Sequence, residues 1–286
     1  MQKQTKSARF RKLIAKSCVM MPGVPNAAVA RQVERAGFEA LYVSGAGMAN
    51  STAGVPDIAL LTLTEVARLA GYIANAANIP AIVDADTGFG GAENVVRTIR
   101  ELESAGLAGC HIEDQEFPKR CGHLAGKSIV DVEEMVGKIK VAVASRRDPD
   151  FFIMARTDAR AIEDLKGAVK RAQAYVEAGA DAIFPEALQS AGEFKTFAGE
   201  IKAPLLANMT EFGKSPLLSF KELSDLGYRM VIYPMSAFRV SMKASEAFLR
   251  DLKKQGTQSG WIDKMQTRQE LYELLDYDPA AGSWPG

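Results

Sequence analysis

The chain is poor in cysteine, with only Cys18, Cys110 and Cys121 among 286 residues. Three scattered thiols cannot frame a disulfide-stapled fold, so a reducing, cytoplasmic compartment is the default. Neither sign of charge is in excess, with 35 basic against 35 acidic residues. That balance excludes a nucleic-acid stripe or an anionic membrane surface as the organising partner. Charge or glycine interrupts every apolar run well before twenty residues, so no conventional membrane-spanning helix is expected. Acidic residues are missing before Glu34. An acid-free, basic start is a feature of organellar leaders. However, Phe10, Leu13 and Ile14 share one helical face ahead of a strand-like run, and an N-terminal helix packed on the domain is the expectation. No low-complexity stretch marks a linker, so residues 1–286 read as a single domain.

Apolar residues are plentiful, at 47%, enough for a large core. From Ser17 onward short apolar runs alternate with helical patterns. Strands are expected at 18–23, 40–45, 81–86, 109–114, 151–158, 182–186, 205–211 and 230–236. Helices are expected at 26–36, 63–76, 92–105, 132–144, 159–178 and 220–226, several followed by a glycine suited to a C-terminal cap. Eight such units predict an α/β fold, a closed (β/α)8 TIM-type barrel of parallel strands. A helix at 240–255, a segment through Trp261 and a helical pattern at 268–275 remain. They make 240–286 a C-terminal helical extension.

Polar residues near the expected strand ends keep one parity: Tyr42 with Ser44, Asp84 with Asp86, His111 with Glu113, Arg156 with Asp158, Phe184 with Glu186, Asn208 with Thr210. Residues two apart share a face of a strand, whereas Val83, Ala85, Ile112 and Ile183 between them suit burial under outer helices. Six such pairs at successive C-terminal ends predict an active-site rim. Asp84 and Asp86, followed by Thr87-Gly88-Phe89-Gly90-Gly91, suit a hard cation such as Mg2+. Glu113 and Asp57 are positioned to hold its water, and the bland alternative is an Asp-Thr-Gly turn. Arg156, Arg239 and Arg268 suit a substrate with several carboxylates; each is equally explicable as a surface ion pair.

Lys119-Arg120-Cys121-Gly122-His123 sets a thiol among cations on a stretch without apolar periodicity. Nearby positive charge favours the thiolate, which makes Cys121 a candidate acid, base or nucleophile, against the alternative of a solvated basic turn. Cys121 and His123 lack the further ligands of a zinc site. Glycines at 122 and 126 predict that loop 117–128 is mobile when empty and closed when occupied.

These motifs, together with Tyr42-Val43-Ser44-Gly45, His111-Ile112-Glu113-Asp114-Gln115, Met154-Ala155-Arg156-Thr157-Asp158 and Phe184-Pro185-Glu186, resemble the isocitrate lyase and phosphoenolpyruvate mutase superfamily over nearly the full length. The cysteine motif resembles its carbon–carbon lyase branch. Asn208-Met209-Thr210-Glu211-Phe212-Gly213, Gly256-Thr257-Gln258 and Met265-Gln266-Thr267-Arg268 are similar to the 2-methylisocitrate lyases within it. Ala46 and Leu124-Ala125-Gly126 depart from that group, the latter toward isocitrate and dimethylmalate lyases.

The resemblance implies Mg2+-dependent cleavage of 2-methylisocitrate, a tricarboxylate of propionate catabolism through the methylcitrate cycle, to pyruvate and succinate. Isocitrate or 2,3-dimethylmalate cleavage, or decarboxylation or hydrolysis of an α-keto acid on the same scaffold, are the alternatives. It implies metal binding by Asp84 and Asp86 with help from Asp57 and Glu113, and catalytic roles for Cys121, His123, Arg156 and Tyr42, the last only as a candidate base. Substrate binding falls to Ser44, Gly45, Ala46, Cys121, Gly122, Arg156, Glu186, Asn208, Met209, Thr210, Arg239 and Arg268. Phe184, Ile232 and Pro234, of inward parity, are expected to wall a methyl-sized pocket. The implied assembly is a homotetramer, a dimer of dimers that exchange the C-terminal helix, with neither nucleic acid nor membrane as partner.

Overall fold

In the computed structural model, residues 4–124 and 126–282 are described. Eight short parallel strands, β1 Val19–Pro22, β2 Leu41–Val43, β3 Ala81–Asp84, β4 Gly109–Glu113, β5 Phe152–Thr157, β6 Ala182–Pro185, β7 Leu206–Asn208 and β8 Met230–Tyr233, follow one another around a ring. β2 to β6 form one ladder and β7, β8 and β1 another. Parallel bridges at Gly23 with Tyr42 and Ile183 with Leu205 join the two into a closed barrel. The strands read as nearly continuous apolar runs because both faces are buried. One face fills the barrel with Met21, Ile82, Met154, Phe184, Leu206, Ile232 and their neighbours. The other meets the helices through Val83, Ala85, Ile112 and Ile183, as their parity required.

The outer layer comprises α2 Ala27–Arg35, α4 Leu63–Ala76, α5 Ala92–Ser104, α6 Val132–Ser145, α7 Asp164–Glu177, α8 Ala191–Glu200 and α9 Phe220–Asp225. Helix α1, Lys6–Lys16, is the N-terminal helix foreseen from the sequence. It plugs the bottom of the barrel, with Phe10 wholly buried and its ring edge-on to Phe152 at 5.1 Å. Burying such a side chain is worth roughly 1.5–3 kcal/mol, which secures the basic segment as part of the domain.

Three local features were not legible in the sequence. A short helix α3, Gly45–Met48, runs into a π-helical turn, Ala49–Ala53. Helix α8 was not marked as helical, its Gly192 and two phenylalanines obscuring the pattern. The helix expected at 159–178 is broken into a 3-10 turn, Ala159–Ala161, and α7, because Asp164 takes a left-handed φ of 70° between them.

The C-terminal extension differs from the rest. Helix α10, Ser236–Gln255, is 20 residues long yet has no buried residue, and Val240 and Leu249 are 70% and 59% exposed. Trp261 folds back on it, donating from Nε1 to Asp251 Oδ2 at 2.8 Å. Helix α11, Arg268–Leu274, returns to α2 of the same chain, where Leu274 is buried and Arg31 Nη1 contacts Asp276 Oδ2 at 2.6 Å. No helix among the described residues is long and apolar enough to cross a membrane.

Candidate active site

At the C-terminal ends of the strands the register sets Asp84 beside His111, and Glu113 beside Arg156, on adjacent strands. Polar side chains therefore converge in the barrel mouth and divide into two groups.

The first group is acidic. Asp84 Oδ1 accepts the Asp86 backbone N–H at 2.9 Å, which fixes the turn after β3, where Asp86 adopts a φ of 45°. Lys119 reaches in from the cysteine loop, its Nζ 2.5 Å from Asp57 Oδ1 and 2.9 Å from Asp86 Oδ1. Burial pushes Asp86 up to about 6, with Lys119 opposing and Asp84 reinforcing the rise. Burial also acts on Asp84, but Lys119, Arg156 and the Asp86 backbone N–H outweigh it and hold this carboxyl below its ordinary value. Glu113 is wholly buried, neither of its oxygens has a hydrogen-bond partner, and burial raises it well above the carboxylate range. Four carboxylates thus face one ammonium.

This donor set fits a divalent cation. Every donor is a hard oxygen, Glu113 lacks a hydrogen-bond partner, and like charges crowd Asp86. Among the described residues no three candidate ligands are gathered into a ready cage.

The second group is paired. Arg156 grips Asp158 through Nε at 2.9 Å and Nη2 at 3.2 Å. Its Nε lies 3.3 Å from Glu113 Oε2, and its guanidinium stacks 5.0 Å above the Phe184 ring. Glu186 receives Asn208 Nδ2 at 3.3 Å and faces His123 Nε2 at 2.7 Å. His123 Nδ1 accepts the Lys214 N–H at 2.9 Å, so the ring carries its proton on Nε2. Burial works against the charge of Glu186, but Arg156 and His123 hold it below its ordinary value.

The cysteine loop is seated on this second group. A Cβ at position 122 would collide with Arg156 Nη2 and Glu186, so only glycine permits the approach. Cys121, next to it, is half-buried. Its charge environment corrects the expectation of a thiolate. Lys119 is spent on carboxylates, Arg120 is exposed, and burial raises the Cys121 thiol above its ordinary value, against the lowering from the His123 backbone N–H. At neutral pH the group is a protonated thiol, the form an acid requires.

Other expected residues fall out as follows. Tyr42 Oη meets His111 Nε2 at 2.8 Å. Burial, then the charge of Asp84, keeps its phenol protonated far above neutral pH, so the site disfavours it as a base. Burial likewise pushes His111 down to about 4 and leaves it neutral. Ser44 Oγ caps α3 by accepting the Gly47 N–H at 3.1 Å, and Gly45 and Ala46 form that helix's first turn. Met209 is corrected as a binding side chain. Strand alternation sends it into the outer core, and its N–H is used by Ile232 O at 2.9 Å. Thr210 is half-buried at the rim. Phe184 and Ile232 face the barrel interior as expected, while the backbone of Pro234 packs against Gly23. Arg239 is partly exposed, its Nε 3.6 Å from Glu211 and its guanidinium over Phe212, and Arg268 stands exposed on α11. Sequence reasoning gave Lys119 a role only as a cation beside Cys121, and none to Lys127 or Asp114. Only the i and i+2 pairing of Asp158 with Arg156 signalled the buried network to which Lys127 and Asp114 belong.

A barrel whose mouth sets an acidic, cation-ready group against an arginine-centred group beneath a cysteine loop defines a class of enzymes acting on small carboxylates. The chain belongs to the phosphoenolpyruvate mutase and isocitrate lyase superfamily: the phosphoenolpyruvate phosphomutase family model matches residues 10–253. It is 55% identical over 269 residues to the 2-methylisocitrate lyase of Aeropyrum pernix, covering 94% of this chain and 86% of that one. Among solved structures, 2,3-dimethylmalate lyase superposes with a TM-score of 0.92 at 35% identity, covering 98% of this chain and 94% of the other. Phosphonopyruvate hydrolase in complex with oxalate and Mg2+ gives 0.86 at 31%, covering 95% of each chain.

Proposed function

We infer that this chain is a carbon–carbon lyase that cleaves 2-methylisocitrate to pyruvate and succinate, a reaction of propionate catabolism through the methylcitrate cycle. The observation that carries the reading is the seat of the cysteine loop: Gly122 lies directly on Arg156 and Glu186, which brings a protonated thiol beside a carboxylate-binding arginine. The cofactor proposed is Mg2+, held by Asp84 and Asp86 with Asp57 and Glu113 through water. When bound, it supplies positive charge to the α-hydroxycarboxylate end of the substrate.

The chain's own residues do the rest. Arg156, with Asn208, Thr210 and the first-turn amides of α3, binds carboxylates, and Phe184 and Ile232 shield the centre from water. The hydroxyl proton passes to a water molecule, the carbon–carbon bond breaks, and its electron pair moves onto the fragment that becomes succinate. Cys121 donates the thiol proton to that carbon. One proton lost from oxygen and one gained by carbon balance the step. His123, with its proton on Nε2 facing Glu186, steadies the loop.

The proposal extends to assembly. Exchange of α10 between neighbouring barrels in a homotetramer is supported by the lack of any buried residue along it. A cytoplasmic setting agrees with three free cysteines. The test is a substrate panel with added Mg2+, assayed for pyruvate, glyoxylate and succinate. Pyruvate and succinate from 2-methylisocitrate support the reading, whereas clear preference for isocitrate or 2,3-dimethylmalate contradicts it.

A further inference from the structure

Lys127 ends the cysteine loop, and the reaction above gives it no part, yet its side chain is only 1% exposed and the carboxylate it meets is wholly buried. Lysine is seldom buried without a partner that repays desolvation. Here the ammonium donates to two acceptors, the backbone oxygen of Gly122 and Asp158 Oδ1, the latter at 2.6 Å. The first belongs to the residue after Cys121, and the second to the carboxylate that orients Arg156.

Asp158 is itself anchored from behind. Its backbone N–H reaches Asp114 Oδ1 at 2.8 Å, and Asp114 Oδ2 takes hydroxyl donors from Thr157 and from Tyr175 on α7, each at 2.8 Å. Asp158 therefore belongs to the fixed frame, while Lys127 and Gly122 belong to the loop. Gly126, beside Lys127, has a φ of 75°, a left-handed turn that aims the chain back toward the frame. If the loop lifts, Asp158 keeps Arg156, and Lys127 regains water. If it settles, one ammonium ties both ends of the cysteine segment to the frame. Intermediate positions would strand a buried charge, which disfavours them against the seated and the fully lifted loop.

We propose that Lys127 is a positioning residue that latches the loop carrying Cys121 onto Asp158, and so holds the thiol in register with Arg156. This rests on the reading of Cys121 as the acid of a lyase, and the test separates the two. Iodoacetamide labelling of Cys121 and Cys18 is followed by peptide mass spectrometry in the full chain, in Lys127→Met and in Lys127→Arg, without ligand. Loss of charge-assisted hydrogen bonds should speed Cys121 labelling roughly tenfold or more in Lys127→Met. Cys18, outside the loop, keeps its rate, and Lys127→Arg recovers part of the protection.

With 2-methylisocitrate and Mg2+, Lys127→Met should lose about tenfold in kcat and equally in kcat/KM, the mark of an interaction made only in the transition state. Equal Cys121 labelling in parent and Lys127→Met overturns the latch. So does faster labelling of both cysteines with a lowered melting temperature, which makes the lysine a support of the fold. A parent chain that cleaves no 2-methylisocitrate, yet shows the Cys121-specific acceleration in Lys127→Met, overturns the proposed reaction and supports the latch.

Discussion

The two sides of the barrel mouth are built on opposite electrostatic plans. On one side Asp57 and Asp86 share the ammonium of Lys119, Asp84 crowds Asp86, and Glu113 has no hydrogen-bond partner and only Arg156 Nε at 3.3 Å for an ion pair. On the other, Arg156 and Lys127 meet Asp158 in short, buried contacts, Asp158 is held from behind by Asp114, and Glu186 lies 3.8 Å from Arg156. The first arrangement crowds like charges, whereas in the second each buried charge faces an opposite one. Under the proposed function a mouth so divided would separate the task of receiving a metal from the task of orienting an anion, and the cysteine loop spans both sides through Lys119 and Lys127.

Substitutions should therefore behave differently on the two sides. Asp86→Asn keeps a residue that tolerates the positive φ and removes one repelling charge. Turnover should fall on the order of 10³-fold or more as metal-assisted stabilisation is lost, with the unfolding temperature unchanged or higher. Full activity in excess chelator would break the comparison. Cys121→Ser, on the loop between the sides, should lower kcat by roughly 10²- to 10⁴-fold while succinate still binds by calorimetry.

On the paired side stability is the readout. Arg156→Met leaves Asp158 and Glu186 short of a partner and should cost about 3–5 kcal/mol in denaturant unfolding, beyond its loss of activity. A stable Arg156→Met would show that this side is not the preorganised one. Smaller still is substrate choice. A pocket discriminating by one methyl should favour 2-methylisocitrate over isocitrate by roughly 10- to 200-fold in kcat/KM.

The smallest effect is one of pH. Because burial raises the Cys121 thiol above its ordinary value of 9.0, little thiolate exists at neutral pH. Iodoacetamide labelling should still be accelerating as pH passes 9. A plateau near pH 7 would mean the loop cations do activate the sulfur.

Much of this mouth was legible in the chain. Period-2 parity put Tyr42, Asp84, His111, Glu113, Arg156 and Glu186 on inward faces because a strand allows only two choices, and the apolar residues between them fixed which. Met209 was carried over from the resemblance, whereas the parity that paired Asn208 with Thr210 already set it on the outward face. Parity could not reveal what lies off the strands. Lys127 and Lys119 reach their carboxylates through the path of a loop, the Asp114 network joins residues up to 61 apart, and burial reversed the charge argument for Cys121. Helix α10 was foreseen as surplus to the eight βα units, and it has no buried residue in its own chain.

The most direct test is to run the reaction with 2-methylisocitrate and Mg2+ in D2O and follow the products by NMR. The account predicts equimolar pyruvate and succinate, the succinate carrying one deuterium delivered from the exchanged thiol of Cys121, and none of either from Cys121→Ser on the same timescale. Deuterated succinate formed at the parent rate by Cys121→Ser, or no succinate from the parent chain, would contradict it.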